Sequence, residues 1–338
     1  MDILKYIFVT FVSLFTCTTI TANQKPYVTN LSRDKYHGAN KNWSIGQDEK
    51  GIMYFGNAIG LLESDGMEWR LFQTPDANIM RAIAVVDHQT IYSGGSEDLG
   101  RWDRDQSGQL KYTSLKGLLK ESNALDNQSF WRIWIVGDKV YFQSFSHVYM
   151  YDHQTLTLVD GPTDLLLLLK VRDEYWVQEM YGPLYQLDHL SLNKIPGSEF
   201  LNGTVTRVIL PYDTDRYLIG TSTGEIYIYD KESFIPWNPS LSRQLQGQEL
   251  NCGIYSSKRN TYYLGTQLSG VYEVDTQGNI LNHFSAANSL QNNTILSLYE
   301  DNQNNVWAAM DRGLAYIRYT DGLSSVSYTH LTLPTTPY

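Results

Sequence analysis

The chain has 338 residues, with 26 Lys plus Arg against 36 Asp plus Glu, for a formal charge of −10. No cluster of Lys or Arg stands out, which makes the chain a poor polyanion binder, so no nucleic-acid partner is expected on it. Its 25 Tyr and 8 Trp, with Gly and Asn gathered between apolar runs, favour strands and tight turns and hence an all-β protein.

In chain order, Met1 to Ala22 comes first, with Lys5, an apolar stretch from Tyr6 to Phe15, and small residues leading to Thr21-Ala22. This is the plan of a secretory signal peptide over residues 1–22, and its apolar stretch is short for a bilayer span. Cys17 falls inside it, which leaves Cys252 as one free thiol in the mature domain and no disulfide. Tyr27 to Ser32 reads as an isolated strand, suited to pairing with the last element of a closed sheet array and so removing an exposed edge.

The body of the chain repeats itself. Tyr217 to Asp230 and Tyr262 to Asp275 align without a gap, each with an apolar run, a Gly/Ser/Thr turn and a second, alternating run, which is a β-hairpin pattern. Weaker copies start at Met53, Ile91, Val140, Tyr175 and Val306. Aligned on one position, the copies fall at Gly56, Gly94, Gln143, Gln178, Gly220, Gly265 and Ala309, a mean step of about 42 residues. Several short strands per repeat at that period predict a single β-propeller of about seven four-stranded blades over residues 27–322, with the N-terminal strand completing the last blade.

Glu300-Asp301, Val306-Trp307 and Asp311-Arg312-Gly313-Leu314, with the parallel Gln47-Asp48, Tyr54-Phe55-Gly56 and Gly60-Leu61-Leu62, carry a resemblance. They are similar to the two-component-regulator propeller repeat of extracytoplasmic sensors in Bacteroidetes signalling proteins. The middle copies depart from it, with Gln143 and Gln178 at the glycine position and a plain leucine run from Leu165 to Leu169. The resemblance implies a periplasmic ligand-sensing domain, followed in such proteins by a triple-tyrosine β-sandwich, a transmembrane helix, and a histidine kinase or helix-turn-helix output. It also implies oligosaccharide or another small extracellular ligand as partner, the inner membrane through the downstream part, and a homodimer as the obvious signalling arrangement. Val326 to Thr336 resembles the translation of a transposase adapter used in sequencing libraries, so residues 326–338 are expected to be non-native and the natural chain to continue past about Ser325.

Catalytic signals are absent. Gly220-Thr221-Ser222-Thr223-Gly224 fits the nucleophile pattern G-x-S-x-G, but it joins two strands where that chemistry needs a strand-to-helix turn, so a hairpin turn is expected. The seven histidines show no ligand spacing, and Asp301 to Asn305 lacks the distal glutamate and glycine of a calcium loop; no metal and no cofactor is expected. One binding signal remains. Arg81, Arg132 and Arg207 each stand near the start of the first strand of a repeat, with Trp131 beside one of them. On innermost strands they would converge at one mouth of the channel and bind a carboxylated or sulfated sugar, by bidentate hydrogen bonds and stacking. The bland reading pairs them with acidic groups between blades. A secreted propeller lyase or glycosidase, or a secreted interaction scaffold, are the competing functions.

Overall fold

The computed structural model describes residues 26–119 and 125–319. Seven four-stranded antiparallel sheets follow one another along the chain, and each is a blade of one β-propeller. The propeller unit is Val28–Arg318; the other unit, residues 1–27 with 319–338, lies almost wholly outside the described residues. The signal-peptide reading of 1–22 and the adapter reading of 326–338 therefore fall outside the description. Six blades are built in sequence order from the channel outward, beginning with Asn42–Gln47, Met80–Val85, Phe130–Val136, Leu169–Val171, Thr206–Pro211 and Leu250–Ser256. The seventh takes Ile295–Glu300, Val306–Met310 and Leu314–Tyr319 from the end of the chain and Pro26–Leu31 from its beginning, the closure expected from the sequence.

The strand patterns follow from this stacking. The second strand of each blade lies between neighbouring blades and is covered on both faces, so Met53–Asn57 and Tyr217–Thr221 are buried at every residue. Such strands read as continuous apolar runs, which is why they dominate the repeat. The outermost strands meet water on one side, and Ile280–Phe284 alternates between half-buried and exposed until Phe284. The core is a series of apolar layers between blades. Tyr54 and Leu61 of blade 1 meet Met80, Ile91 and Trp102 of blade 2, and Tyr92 and Leu99 of blade 2 meet Phe130 and Phe142 of blade 3. Each fully buried side chain of this size contributes roughly 1.5–3 kcal/mol.

The aligned position has one role throughout. In every blade it pairs with the first apolar residue of the third strand: Leu61, Leu99, Val148, Leu184, Ile226, Val271 and Leu314. Where it is glycine, the next blade's inner strand rests on it. A Cβ at Gly94 would stand 2.6 Å from Phe130 Cβ, and one at Gly265 would stand 2.8 Å from Ile295 Cγ2. Where it is glutamine, the side chain spans a wider gap. Gln143 donates to Leu166 O (2.8 Å) and accepts from Leu168 N (3.3 Å), and Gln178 donates to Thr204 O (3.1 Å) and accepts from Thr206 N (2.7 Å). The leucine run, which broke the repeat in sequence, is the buried approach to blade 4, anchored by Leu166 N donating to Gln178 O at 2.8 Å.

Candidate ligand site at the channel mouth

Six of the seven inner strands carry a β-bulge at the same register, next to their first residue. A bulge places an extra residue opposite one partner and re-aims its side chain. The bulged residues are Trp43, Arg81, Trp131, Arg207, Asn251 and Leu296. Arg81 and Arg207 thus occupy equivalent positions in their blades. Arg132 does not: Trp131 holds that register in blade 3, and Arg132 is one residue further along. The inner strands of all seven blades line a central cavity of about 440 Å³ that includes Trp131, Arg132, Arg207 and Cys252.

Three of these side chains form one stack across blades 1 to 3. The Arg81 guanidinium lies 4.9 Å from the centroid of Trp43 and 4.7 Å from that of Trp131, and the two indoles meet edge to face at 5.6 Å. Trp131 stacks in turn on Phe145, on the turn between the second and third strands of blade 3, with centroids 4.9 Å apart and planes at 23°. Sequence reading missed Trp43; its register in Asn42-Trp43-Ser44-Ile45, matching Phe130-Trp131-Arg132-Ile133, is the signal that could have found it.

No ion pair joins Arg81, Arg132 or Arg207 to a carboxylate among the described residues. Arg132 donates to Trp131 O at 2.8 Å, and Arg207 Nε and Arg81 Nε have no acceptor. Burial pushes the Arg132 guanidinium down to about 10, with the Arg207 charge adding to it, although the nearby Cys252 acts in the opposite sense. It remains cationic at neutral pH. Burial also lowers Arg81 and Arg207. Cys252, whose thiol feels both Arg132 and Arg207, is pushed up to about 12 by its own burial and is therefore an inert thiol. Seven buried side-chain polar atoms lack a hydrogen-bond partner among the described residues, and six of them belong to Trp43, Ser44, Arg81, Trp131, Thr206 and Arg207. Four of those six are N–H donors. Buried donors are nearly always satisfied, so these four N–H groups, all on bulged residues of the inner strands, stand out among the described residues.

Arg207 also borders a second, larger hollow of about 830 Å³ between blades 5 and 6, beside Glu225, Arg243, Gln246, Glu249 and Gln267. Gly220 to Gly224 forms part of its wall as the expected hairpin turn, closed by Gly224 N donating to Thr221 O at 3.0 Å. Among the described residues, no group of His, Cys, Asp and Glu could hold a metal ion, and no helix is long and apolar enough to cross a membrane.

Comparison with known proteins agrees with the propeller fold. The family described as the two component regulator propeller matches residues 289–312, the approach to blade 7 with its first two strands. Two similar solved structures are extracellular domains of hybrid two component systems from B. thetaiotaomicron. They share 17% and 18% identity at TM-scores of 0.66 and 0.64, covering 89% and 88% of this chain. The chain spans only 41% and 42% of those domains. Virginiamycin B lyase from Staphylococcus aureus is also similar in fold, at 10% identity and a TM-score of 0.63, over 88% of this chain and 99% of the lyase. No curated protein matches the chain in sequence.

Proposed function

We propose that this chain, a propeller whose last blade carries the two component regulator repeat, is the extracytoplasmic ligand-sensing part of a membrane-spanning signalling regulator. Its ligand is an acidic glycan fragment seated at the bulged end of the channel. The observation that supports this is the set of four buried N–H donors without acceptors, on Trp43, Arg81, Trp131 and Arg207, beside the unneutralised Arg132. A carboxylate or sulfate would satisfy them by charge-assisted hydrogen bonds, while a sugar ring stacks along the Trp131–Phe145 pair. The likeness to sensor domains supports the wider setting: export, the periplasmic face of the inner membrane, and a kinase or helix-turn-helix output. The ligand drives signalling only by favouring one arrangement of the receptor over another, since equal affinity for both shifts nothing.

Isothermal titration with digalacturonic acid against its methyl ester tests the ligand class. The acid should bind at least tenfold more tightly, and Arg132→Met should remove that preference while keeping the fold. Equal binding of acid and ester, or an unchanged preference in the variant, sinks it. A second reading, a polysaccharide-cleaving propeller, draws on Glu225 and Glu249 lining one hollow and on the lyase likeness. New reducing ends after incubation with polyuronate would favour it.

A further inference from the structure

Apart from Arg207, the hollow between blades 5 and 6 is built from parts that the channel reading does not use. Its walls are the blade 5 hairpin turn with Ser222, Thr223 and Glu225, the end of the helix Pro239–Leu245, Glu249 before blade 6, and Gln267 on the blade 6 turn. The walls are fixed. Leu241 and Leu245 anchor the helix in the interblade core, and a Cβ at Gly224 would lie 2.6 Å from the Leu245 carbonyl, so turn and helix end touch. Gln267 N donates to Glu249 O at 2.9 Å, tying blade 6 to its own entry segment, and Ser222 N donates to Val205 O at 2.8 Å.

The lining has an unusual charge arrangement. Two cations, Arg207 and Arg243, and two anions, Glu225 and Glu249, share the hollow, and none of the four forms an ion pair among the described residues. The Glu249 charge is felt at Arg207, yet Arg207 Nε stays buried without an acceptor. Apart from Gly247, the remainder is hydroxyl and amide, from Thr204, Ser222, Thr223, Ser242, Gln246 and Gln267, with no aromatic ring for a sugar to stack on. A volume of about 830 Å³ lies within the roughly 300–1,000 Å³ of small-molecule sites and is large for a single amino acid.

We propose that this hollow is a second ligand site, for a zwitterion of short-peptide size whose carboxylate meets the arginines and whose ammonium meets Glu225 and Glu249. The hydroxyls and amides between them would serve the peptide groups. Arg207 borders both sites, but Glu225, Arg243 and Glu249 lie outside the channel lining, so substitutions at those three test this site apart from the acidic-glycan reading.

Thermal-shift titration and calorimetry of the intact chain with trialanine, N-acetyl-trialanine and trialanine amide test it, alongside Glu249→Gln and Arg243→Gln. Both substituted side chains are exposed, so the variants should fold. Trialanine should raise the melting temperature in a concentration-dependent way, and blocking either end should weaken binding at least tenfold. Glu249→Gln should erase the preference for the free amine alone, and Arg243→Gln the preference for the free carboxylate alone. Arg132→Met should leave trialanine binding intact, which separates failure here from failure of the channel site. No shift at millimolar trialanine, or equal binding of free and blocked peptides, overturns the proposal.

Discussion

Single side chains divide into those that close the ring and those left open to a ligand. Asp48 is of the first kind. Burial alone would raise its carboxyl. The hydrogen bonds from His88 Nδ1 (2.9 Å), from the Ile52 and Lys50 amides (both 2.9 Å) and from the Tyr54 hydroxyl (3.0 Å) outweigh burial and hold it below the usual range. A depressed carboxyl contributes stability that is complete above the unfolded pKa of about 3.9 and is lost as pH falls through the folded value. Asp48→Asn should therefore cost about 1–3 kcal/mol at pH 7, with the gap to wild type narrowing below pH ~4. Urea melts at several pH values check this, and a gap that widens in acid refutes it. Arg132 is of the second kind, a cation without a counter-ion. Arg81, Arg132, Arg207 and Trp131 do lie on the first strands of their blades, the condition on which the sequence reading made them converge. Read strand by strand, the sequence did not show that Trp43 completes the stack, or that Arg132 is out of register with the others; only aligning one inner strand on another brings out both. A bulge is a property of pairing between two strands, and no single strand's residues announce it.

At the scale of the blade, the repeat was legible because its second strand is buried on both faces and so constrained at every residue. The middle blades were harder to read for a physical reason. Glycine and glutamine solve the same docking problem at different spacings, and only the next blade shows which spacing applies. Gln143 also donates to Ser144 O, so its side chain serves the carbonyls on both sides of the gap. Restoring the repeat's glycine is thus expected to harm the fold. Gln143→Gly should destabilise by about 3 kcal/mol, since it strands the buried Leu166 carbonyl and Leu168 amide and opens a void. The converse change, Gly94→Ala, should cost about 1–3 kcal/mol by driving a methyl into Phe130. Chemical denaturation of both variants decides; a neutral or stabilising Gln143→Gly would show that the glutamine is incidental. The same logic hid the hollow between blades 5 and 6 from sequence reading. Its helix announces itself through Asn238, whose side chain accepts from Ser240 N and Leu241 N with Pro239 at the first turn, but its charges converge only across two blades.

For the whole molecule, stability rests on the seam where the two ends of the propeller meet. Pro26–Leu31 covers Leu314–Tyr319, which would otherwise be an open sheet edge. Side chains reinforce the join. Asn30 Nδ2 donates to Ser289 O at 2.7 Å, and Gln291 Nε2 donates to Leu31 O at 2.9 Å and to Leu314 O at 3.1 Å. Blade 7 is tied onward to blade 1 by Gly313 N donating to Asn40 O at 2.7 Å, Asn302 N donating to Gln47 Oε1 at 2.8 Å, and the Lys41–Asp311 pair at 2.7 Å. A ring opened at its seam loses the interblade layer of Phe55, Leu62, Ala309 and Leu314 along with the ladder, so the damage should spread beyond one strand. Deleting residues 26–31 should destabilise the propeller by about 3 kcal/mol or more and leave an edge that recruits a second copy. Gln291→Ala should do the same in miniature, costing about 1–2 kcal/mol without self-association. Thermal melts with light scattering read both effects. A deletion variant that melts with the wild type and stays monomeric would mean that the seam is closed by packing alone and that the N-terminal strand is dispensable.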